Sequence, residues 1–117
     1  MAVNILLERQ SVPATGLLRV RVNQTVQINV SADDAQRRVS VFVLNQISNL
    51  MHGGLPILVI GQRACWRVPV HLTFPSAGDV GQVGSIDVDV TSGELQVSPD
   101  VIAQIEANAQ AIAQRTP

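Results

Sequence analysis

Asp87 and Asp89 are the side chains whose type and spacing come nearest to a site for chemistry. They occupy alternate positions of one predicted strand, so both carboxylates lie on the same face, about 7 Å apart. Paired carboxylates can bind a cation or transfer protons. Acidic residues at alternate positions are also typical of a solvated strand face that discourages edge pairing. We favour the second interpretation and treat both residues as candidates for contact with a partner.

His52, His71 and Cys65 could supply metal ligands, or a nucleophile with its base, but their spacing suits neither. The sequence contains no C-x-x-C, H-x-x-x-H or H-E-x-x-H pattern. Cys65 and His71 are separated by about 20 Å along a strand. The sequence therefore predicts no metal site, no cofactor and no catalytic residue, and we expect a protein that is not an enzyme.

A glycine series over residues 78–84 has the spacing G-x-x-G-x-x-G. The dinucleotide-binding fingerprint places a helix directly after its glycines. Here Ile86, Val88 and Val90 alternate with polar residues, which predicts a strand instead. We therefore expect a flexible loop between two strands over residues 75–84.

Arginine supplies every basic side chain and is concentrated in the first part of the chain. Residues 1–72 carry seven arginines against three acidic residues, a formal charge of +4, whereas residues 73–117 carry one against six, a charge of −5. The candidate interaction residues on the basic side are Arg19, Arg21, Arg37, Arg38, Arg63 and Arg67. Such a patch suits nucleic acid, but the aromatic residues fall on predicted core faces. Association between the basic part of one copy and the acidic part of another is the favoured interpretation.

Strands at the N-terminus and a helix after them are the first elements that position these side chains. An apolar run over residues 2–7 and strict alternation over residues 17–30 predict the strands. Residues 17–30 fit one long strand or a hairpin that turns at Asn23-Gln24, and this choice stays open because the turn lacks the glycine that favours short hairpins.

An amphipathic helix is predicted from Ser31 to about Met51. Ser31 suits the N-cap, and acidic residues follow it in the first turn. The glycine pair at 53–54 supplies a left-handed stop. Val41 and Leu44 widen the apolar face, which indicates contact on more than one side.

The segments after the helix predict an antiparallel meander. They are the apolar run at 55–60, the alternating strand at 64–74, the strand at 86–90, the turn at 91–94 and the return at 95–97. Pro69 removes one ladder donor, so we expect its strand at an edge or with a bulge there. Trp66 shares the parity of Val68 and Val70 and is expected in the core, with the wall of a ligand pocket as the alternative.

A C-terminal helix is predicted over residues 99–114. Ser98-Pro99-Asp100 combines a cap, a proline at the first helical position and an acid in the first turn. The apolar face of this helix is thin, so it is expected to cover the sheet as a lid or to complete a partner's surface.

The order of elements from residue 31 to residue 97 resembles a known family. A helix led by Ser-Ala-Asp-Asp-Ala (31–35) precedes a strand containing Trp-Arg-Val-Pro-Val (66–70) and the hairpin Ile-Asp-Val-Asp-Val-Thr-Ser-Gly-Glu-Leu (86–95). This pattern resembles the PepSY-type domain, in which one helix packs on a small antiparallel sheet, and a set of uncharacterised small bacterial proteins with that core. The resemblance implies a binding or inhibitory module without catalytic residues. The chain departs from the family in its arginine-bearing strand over 17–30 and in lacking an export signal.

The whole sequence predicts a single α+β domain over residues 1–117. An amphipathic helix packs on a curved antiparallel β-sheet, with N-terminal strands over residues 2–30 and the additional C-terminal helix. No apolar stretch reaches the ~18 residues of a membrane span, and residues 1–10 do not resemble a secretory signal, so we expect a cytoplasmic protein. The favoured function is a non-enzymatic protein-interaction module that forms a homodimer. The alternatives are an antitoxin-like, nucleic-acid-linked regulator that uses the arginine-bearing strands and a carrier of a small ligand beside Trp66.

Overall fold

The computed structural model of the chain describes residues 15–17, 19 and 23–115. Among these residues, five antiparallel strands form an open sheet that carries two helices on one face. In chain order the elements are α1 (Ala32–Gln46), β1 (Met51–Gly53), β2 (Ile57–Ile60), β3 (Ala64–Phe74), β4 (Gly78–Asp89), β5 (Leu95–Gln96) and α2 (Pro99–Arg115). The predicted α+β class, with a helix on an antiparallel sheet and a C-terminal helix, is confirmed.

β3 is the central strand of the sheet. β4 occupies one of its edges, while β1 and β2 share the other edge end to end. The gap between β1 and β2 lies beside Pro69. Its carbonyl accepts a hydrogen bond from Gly54 N at 2.7 Å. Because proline has no N–H to donate, no strand residue is needed opposite it on this side. A register shift follows between Val70 and His71. Pro69 itself is in register with Ser85, and the extra residue at the shift is Val83 of β4. The prediction that Pro69 marks an edge strand or a bulge is therefore wrong, because the gap between β1 and β2 accommodates the proline in a central strand.

α1 begins where the sequence predicts and ends earlier. Ser31 Oγ accepts a hydrogen bond from Asp34 N at 3.1 Å and caps the first turn. The helix ends at Gln46, and the prediction that it extends to about Met51 is wrong. Met51 begins β1 and is paired with Leu72 of β3, so tertiary pairing overrides the helical pattern there.

Gly53 serves close packing, so the left-handed stop predicted at residues 53–54 is wrong. Neither glycine has a positive φ. Gly53 N donates to Ser40 Oγ at 2.9 Å, and Gln36 Nε2 donates to Gly53 O at 3.2 Å. A Cβ on Gly53 would lie 3.0 Å from Gln36 O and from Val68 Cγ1. Glycine therefore allows β1 to approach α1 closely.

The loop predicted over residues 75–84 is wrong for its second part. Residues 75–77 turn the chain, and β4 begins at Gly78, because backbone pairing with β3 overrides the low strand propensity of glycine. A Cβ on Gly84 would lie 2.7 Å from Ile105 Cγ1 of α2. The glycine at this position therefore makes room for the helix.

The core lies between the sheet and the helices. Its buried side chains are Val30, Ala35, Val39, Val43, Met51, Val68, Val70, Leu72, Val83, Ile86, Val88 and Ile105. α2 begins where predicted, and Ser98 Oγ accepts a hydrogen bond from Val101 N at 3.3 Å. The helix docks on β4 through Ile105, which is 1% exposed, and through Asn108 Nδ2, which donates to Val83 O at 2.7 Å. The C-terminal helix therefore covers the sheet as a lid.

Residues 23–30 cross the end of the sheet without forming a strand. Asn29 N and Val30 N both donate to Val90 O, at 2.8 and 3.0 Å. Because both N–H groups donate to the same carbonyl, the segment crosses the end of β4 and does not pair with it residue by residue, as a strand in a ladder would. The strand predicted over 17–30 is therefore not found in this part of the chain.

The other N-terminal predictions fall outside the described residues. They are the strand at residues 2–7, Arg21 and the choice between a hairpin and one long strand, because residues 1–14, 18 and 20–22 are not described. Of the helices that are described, none combines the length and the apolar character that crossing a membrane requires.

Candidate interaction surface

Residues 55–60, which we call the β2 edge, present apolar side chains to solvent. The exposed fraction is 79% for Leu55, 66% for Ile57, 38% for Leu58 and 46% for Ile60. A hydrophobic strand exposed at the edge of a sheet is a template on which another chain can pair. The β2 edge is therefore the candidate interaction surface.

The position of β2 in the sheet explains why these side chains are exposed. Among the described residues, β2 is paired with residues 64–67 of β3 on one side and with no strand on the other. α1 packs against β1, β3 and β4, and α2 packs against β4, so the helix layer is centred away from β2. An apolar run therefore remains in solvent along a strand edge.

Backbone directions on β3 identify the backbone groups of β2 that point outward. Ala64 O accepts a hydrogen bond from Val90 N at 3.2 Å, so the backbone of Ala64 points to the β4 side. Successive residues of an antiparallel strand point to opposite sides, so Cys65 points to β2 and is paired with Val59. Val59 therefore directs its own N–H and C=O towards β3.

Leu58 and Ile60, on either side of Val59, consequently direct their N–H and C=O groups away from the sheet. Pro56 continues the same alternation but has no N–H to offer. Natural sheets usually protect such an edge with charged side chains. β2 contains none, and no strand of the described part of the chain pairs with its outward groups, so they suit pairing with another strand.

The face of the sheet opposite the helices, which we call the open face, carries an ion pair. Arg67 Nε and Nη2 donate to the two carboxylate oxygens of Asp87 at 2.9 and 3.0 Å. The two residues are cross-strand partners on β3 and β4. Hydrogen bonding to Asp87, together with its charge, raises the pKa of Arg67. Both of these predicted interaction residues therefore have a partner within the protein.

Cys65 lies beside this ion pair and is a poor nucleophile. Burial, followed by the charge of Asp87 and a hydrogen bond with it, raises the pKa of the thiol from 9.0 to about 11. The reactive thiolate is therefore scarce at neutral pH.

Asp89 is buried, so the prediction that it lies on a solvated face is wrong. Only 8% of the residue is exposed, and its Oδ1 accepts hydrogen bonds from Thr91 N at 2.8 Å and Ser92 N at 2.9 Å. Hydrogen bonding from Ser92 and then Thr91 lowers the pKa of the carboxyl. Asp89 thereby holds the predicted turn at residues 91–94, which is confirmed, with Gly93 at a φ of 78°.

The candidate arginines do not form one patch. On α1, Arg37 pairs with Asp34, and Arg38 Nη1 donates to Gly93 O at 3.1 Å. Arg67 lies on the open face, across the sheet from α1. The remaining candidates are Arg19 and Arg63, which are exposed, and Arg21, which lies outside the described residues. The structure thus distributes the basic side chains over different surfaces.

Two histidines and an aspartate meet on the open face, although their sequence spacing does not predict it. His52 and His71 are cross-strand partners whose ring centroids are 5.6 Å apart. Thr73 Oγ1 lies 3.2 Å from His52 Nδ1. Asp79 Oδ2 lies 3.0 Å from His71 Nδ1, an approach that is poorly aligned for a hydrogen bond. In the described part of the chain, no three His, Cys, Asp or Glu side chains are placed to hold a metal ion.

Trp66 packs against the core and ties the segment before α1 to the sheet. Its Nε1 donates to Val30 O at 2.8 Å, and the ring contacts the buried cluster. The core position expected from its parity is therefore present. The alternative role, as the wall of a ligand pocket, stays a prediction.

α1 leaves part of its predicted wide apolar face in solvent. Val41 is 52% exposed and Leu44 is 50% exposed. Val41 and Phe42 line an open groove of about 550 Å³ that also borders Leu95. This second apolar surface lies on the helix layer, whereas the β2 edge lies at the rim of the sheet.

No family model, curated protein or solved structure matches this chain. The resemblance of residues 31–97 to the PepSY-type domain therefore stays a prediction. The function has to be inferred from the geometry of the residues themselves.

Sequence reasoning missed the β2 edge as a candidate site. A continuous apolar run such as residues 55–60 is typical of a strand that is buried on both faces. The exposure depends on where the helices lie across the sheet, which no local pattern reveals. The absence of any charged residue between Leu55 and Gln62 is the only local sign that this strand suits a protein contact.

Proposed function

We propose that this protein is a non-enzymatic protein-interaction module that associates with a second copy of itself through the β2 edge. One observation carries the proposal: the edge strand exposes Leu55, Ile57 and Ile60 next to outward-pointing backbone groups. Pairing with another strand buries the apolar surface and satisfies those groups together. The resemblance to binding modules of the PepSY type supports the same role, and we propose a cytoplasmic location on the sequence grounds given above.

Three of the side chains considered for chemistry, Asp87, Asp89 and Cys65, are engaged or unreactive in the structure, which supports a binding role. Asp87 is bound by Arg67, and Asp89 holds a turn. The thiol of Cys65 has a raised pKa. An acid, base or nucleophile has to be free to exchange a proton or attack a substrate.

The size of the β2 edge sets the expected affinity. A standard stable interface involves roughly 20 residues or more on each side. The β2 edge spans residues 55–60, so it supplies far fewer. We therefore expect a reversible dimer with a dissociation constant of about micromolar strength.

Sedimentation equilibrium over a wide range of protein concentration tests the proposal. We expect the average mass to rise with concentration from the 12.5 kDa of the monomer towards that of a dimer. Ile57→Lys should weaken the association at least about tenfold, because it places a charge that must lose its water on the apolar surface that pairing buries. Val41→Lys is the matched control, since it makes the same chemical change at an exposed apolar residue of α1.

Two outcomes would contradict the proposal. A wild-type mass that stays at 12.5 kDa at every concentration would exclude self-association. A dimer that Val41→Lys dissociates and Ile57→Lys leaves intact would place the contact on α1 instead of β2.

A further inference from the structure

We infer that the dimer is formed by β2 of one copy pairing antiparallel with β2 of the second copy, with the two-fold axis passing through Val59. This inference deepens and rests on the proposed function. It assigns the register and orientation of the contact and makes the two sheets continuous. A two-fold axis perpendicular to the sheet keeps the helix layers of both copies on the same side.

The outward backbone groups of β2 are self-complementary in this register. Leu58 of one copy lies opposite Ile60 of the other, and the same pair is repeated on the other side of the axis. Residues that exchange hydrogen bonds in an antiparallel pair use both their N–H and their C=O. Every outward donor and acceptor of Leu58 and Ile60 is therefore satisfied in both copies.

Neighbouring registers satisfy fewer of these groups. With the axis at Leu58, Ile60 faces Pro56, which has no N–H, so the carbonyl of Ile60 is left without a donor. With the axis at Ile60, Leu58 faces Gln62, which belongs to the turn before β3. The Val59 axis alone uses residues of the strand itself on both sides.

The side chains match the same arrangement. Leu58 and Ile60 lie on the helix side of the sheet, because their β3 partners Trp66 and Ala64 face the core. Pairing Leu58 of one copy with Ile60 of the other joins them into a continuous apolar strip. On the open face, each Val59 meets its own symmetry mate. No charged residue occurs between 55 and 62, so the copies meet without like-charge repulsion.

Disulfide cross-linking tests the register in a Cys65→Ser background. This background is needed because Cys65 is the β3 partner of Val59 and would capture a cysteine placed there. In the inferred dimer, a residue on the axis lies about 4.5 Å from its symmetry mate between Cα atoms, which suits a disulfide. Val59→Cys should therefore form a covalent dimer on mild oxidation at least about tenfold faster than the controls.

Ile57→Cys and Leu58→Cys are the controls. Ile57 lies on the same face as Val59 and is more exposed, so random collisions would favour it, yet the inferred register separates it from its mate by roughly 14 Å. Leu58 would be roughly 8 Å from its mate. Faster cross-linking of either control would overturn the register, while the concentration-dependent mass of the wild type would still support self-association.

Amide hydrogen exchange of the unmodified protein gives a second readout that does not depend on a variant. The amides of Leu58 and Ile60 should exchange at least about tenfold more slowly at high protein concentration than at low concentration. The amide of Val59 already points to β3 and should change much less. Equal protection of Leu58 and Ile60 at both concentrations would point to a strand from the same chain and overturn the inference. If sedimentation shows a dimer but the amides of Leu58 and Ile60 remain unprotected, the inferred pairing of β2 is overturned as well.

Discussion

The contact between Gly84 of β4 and Ile105 of α2 determines how closely the C-terminal helix sits on the sheet. A Cβ added to Gly84 would lie 2.7 Å from Ile105 Cγ1, 3.5 Å from its Cδ1 and 3.9 Å from its Cβ. Ile105 is 1% exposed, so its side chain has little free space into which it can move. Gly84 does not have a positive φ, so the conflict lies with the isoleucine side chain and not with the backbone.

The losses in the free energy of unfolding caused by single substitutions at this contact should not be additive in the double variant. Gly84→Ala alone should lower the free energy of unfolding by about 1–3 kcal/mol through overpacking. Ile105→Ala alone should lower it by about 2–5 kcal/mol, because it removes buried carbons and leaves a cavity. In the double variant, the remaining Cβ of residue 105 is 3.9 Å from the new Cβ, an ordinary contact. We therefore expect the double variant to be about 1–3 kcal/mol more stable than the summed single costs imply.

Urea unfolding followed by far-ultraviolet circular dichroism measures these free energies. Ile105→Val is the matched control, because valine keeps Cγ1 and loses only Cδ1. It should cost about 1 kcal/mol by itself and should not relieve Gly84→Ala. Additive costs for Gly84→Ala and Ile105→Ala, or equal relief by Ile105→Val, would refute the reasoning that Cγ1 sets the spacing of α2 from β4.

Two further predictions concern titratable side chains. Asp89→Asn keeps an oxygen that can accept from Thr91 and Ser92 but removes the charge. Because the folded pKa of Asp89 is lowered, the charge stabilises the fold above the unfolded pKa, and that contribution is lost as the pH falls through the folded pKa. The stability deficit of Asp89→Asn in urea should thus shrink from neutral to acid pH, and an unchanged deficit would contradict this assignment. The pKa of Cys65, raised from 9.0 to about 11, lowers the thiolate fraction at pH 8 by about 100-fold relative to the urea-unfolded chain. Because a more basic thiolate is also more nucleophilic, its reaction with a disulfide reagent should be slowed by at least about tenfold, and equal rates would contradict it.

Elements with a local chemical signature could be predicted from the sequence. Ser31 and Ser98 mark helix starts because a hydroxyl can accept from the free N–H groups of a first turn. Gly93 marks a turn because glycine adopts a positive φ without strain. The alternation over residues 64–74 predicted β3 because successive side chains of a strand point to opposite faces.

Elements that depend on a distant partner could not be predicted in the same way. Residues 47–51 continue a helical pattern, yet Met51 pairs with Leu72 in the sheet. The glycines from Gly78 onward suggest a loop, yet they pair with β3 and leave space for α2. In both regions, contacts between residues far apart in the chain outweigh local propensity.

For the β2 edge as well, some features follow from the sequence and others depend on contacts between distant residues. Sequence alone determined which side chains are apolar or charged, including the uncharged run from Leu55 to Ile60. It also determined that these residues favour a strand. Only the tertiary structure decided that this strand lies at an edge away from both helices, so its apolar side chains stay in solvent. Tertiary structure likewise neutralised Asp87 with Arg67 and buried Asp89 in a turn, because cross-strand register and chain reversal bring together groups that spacing along the sequence does not relate.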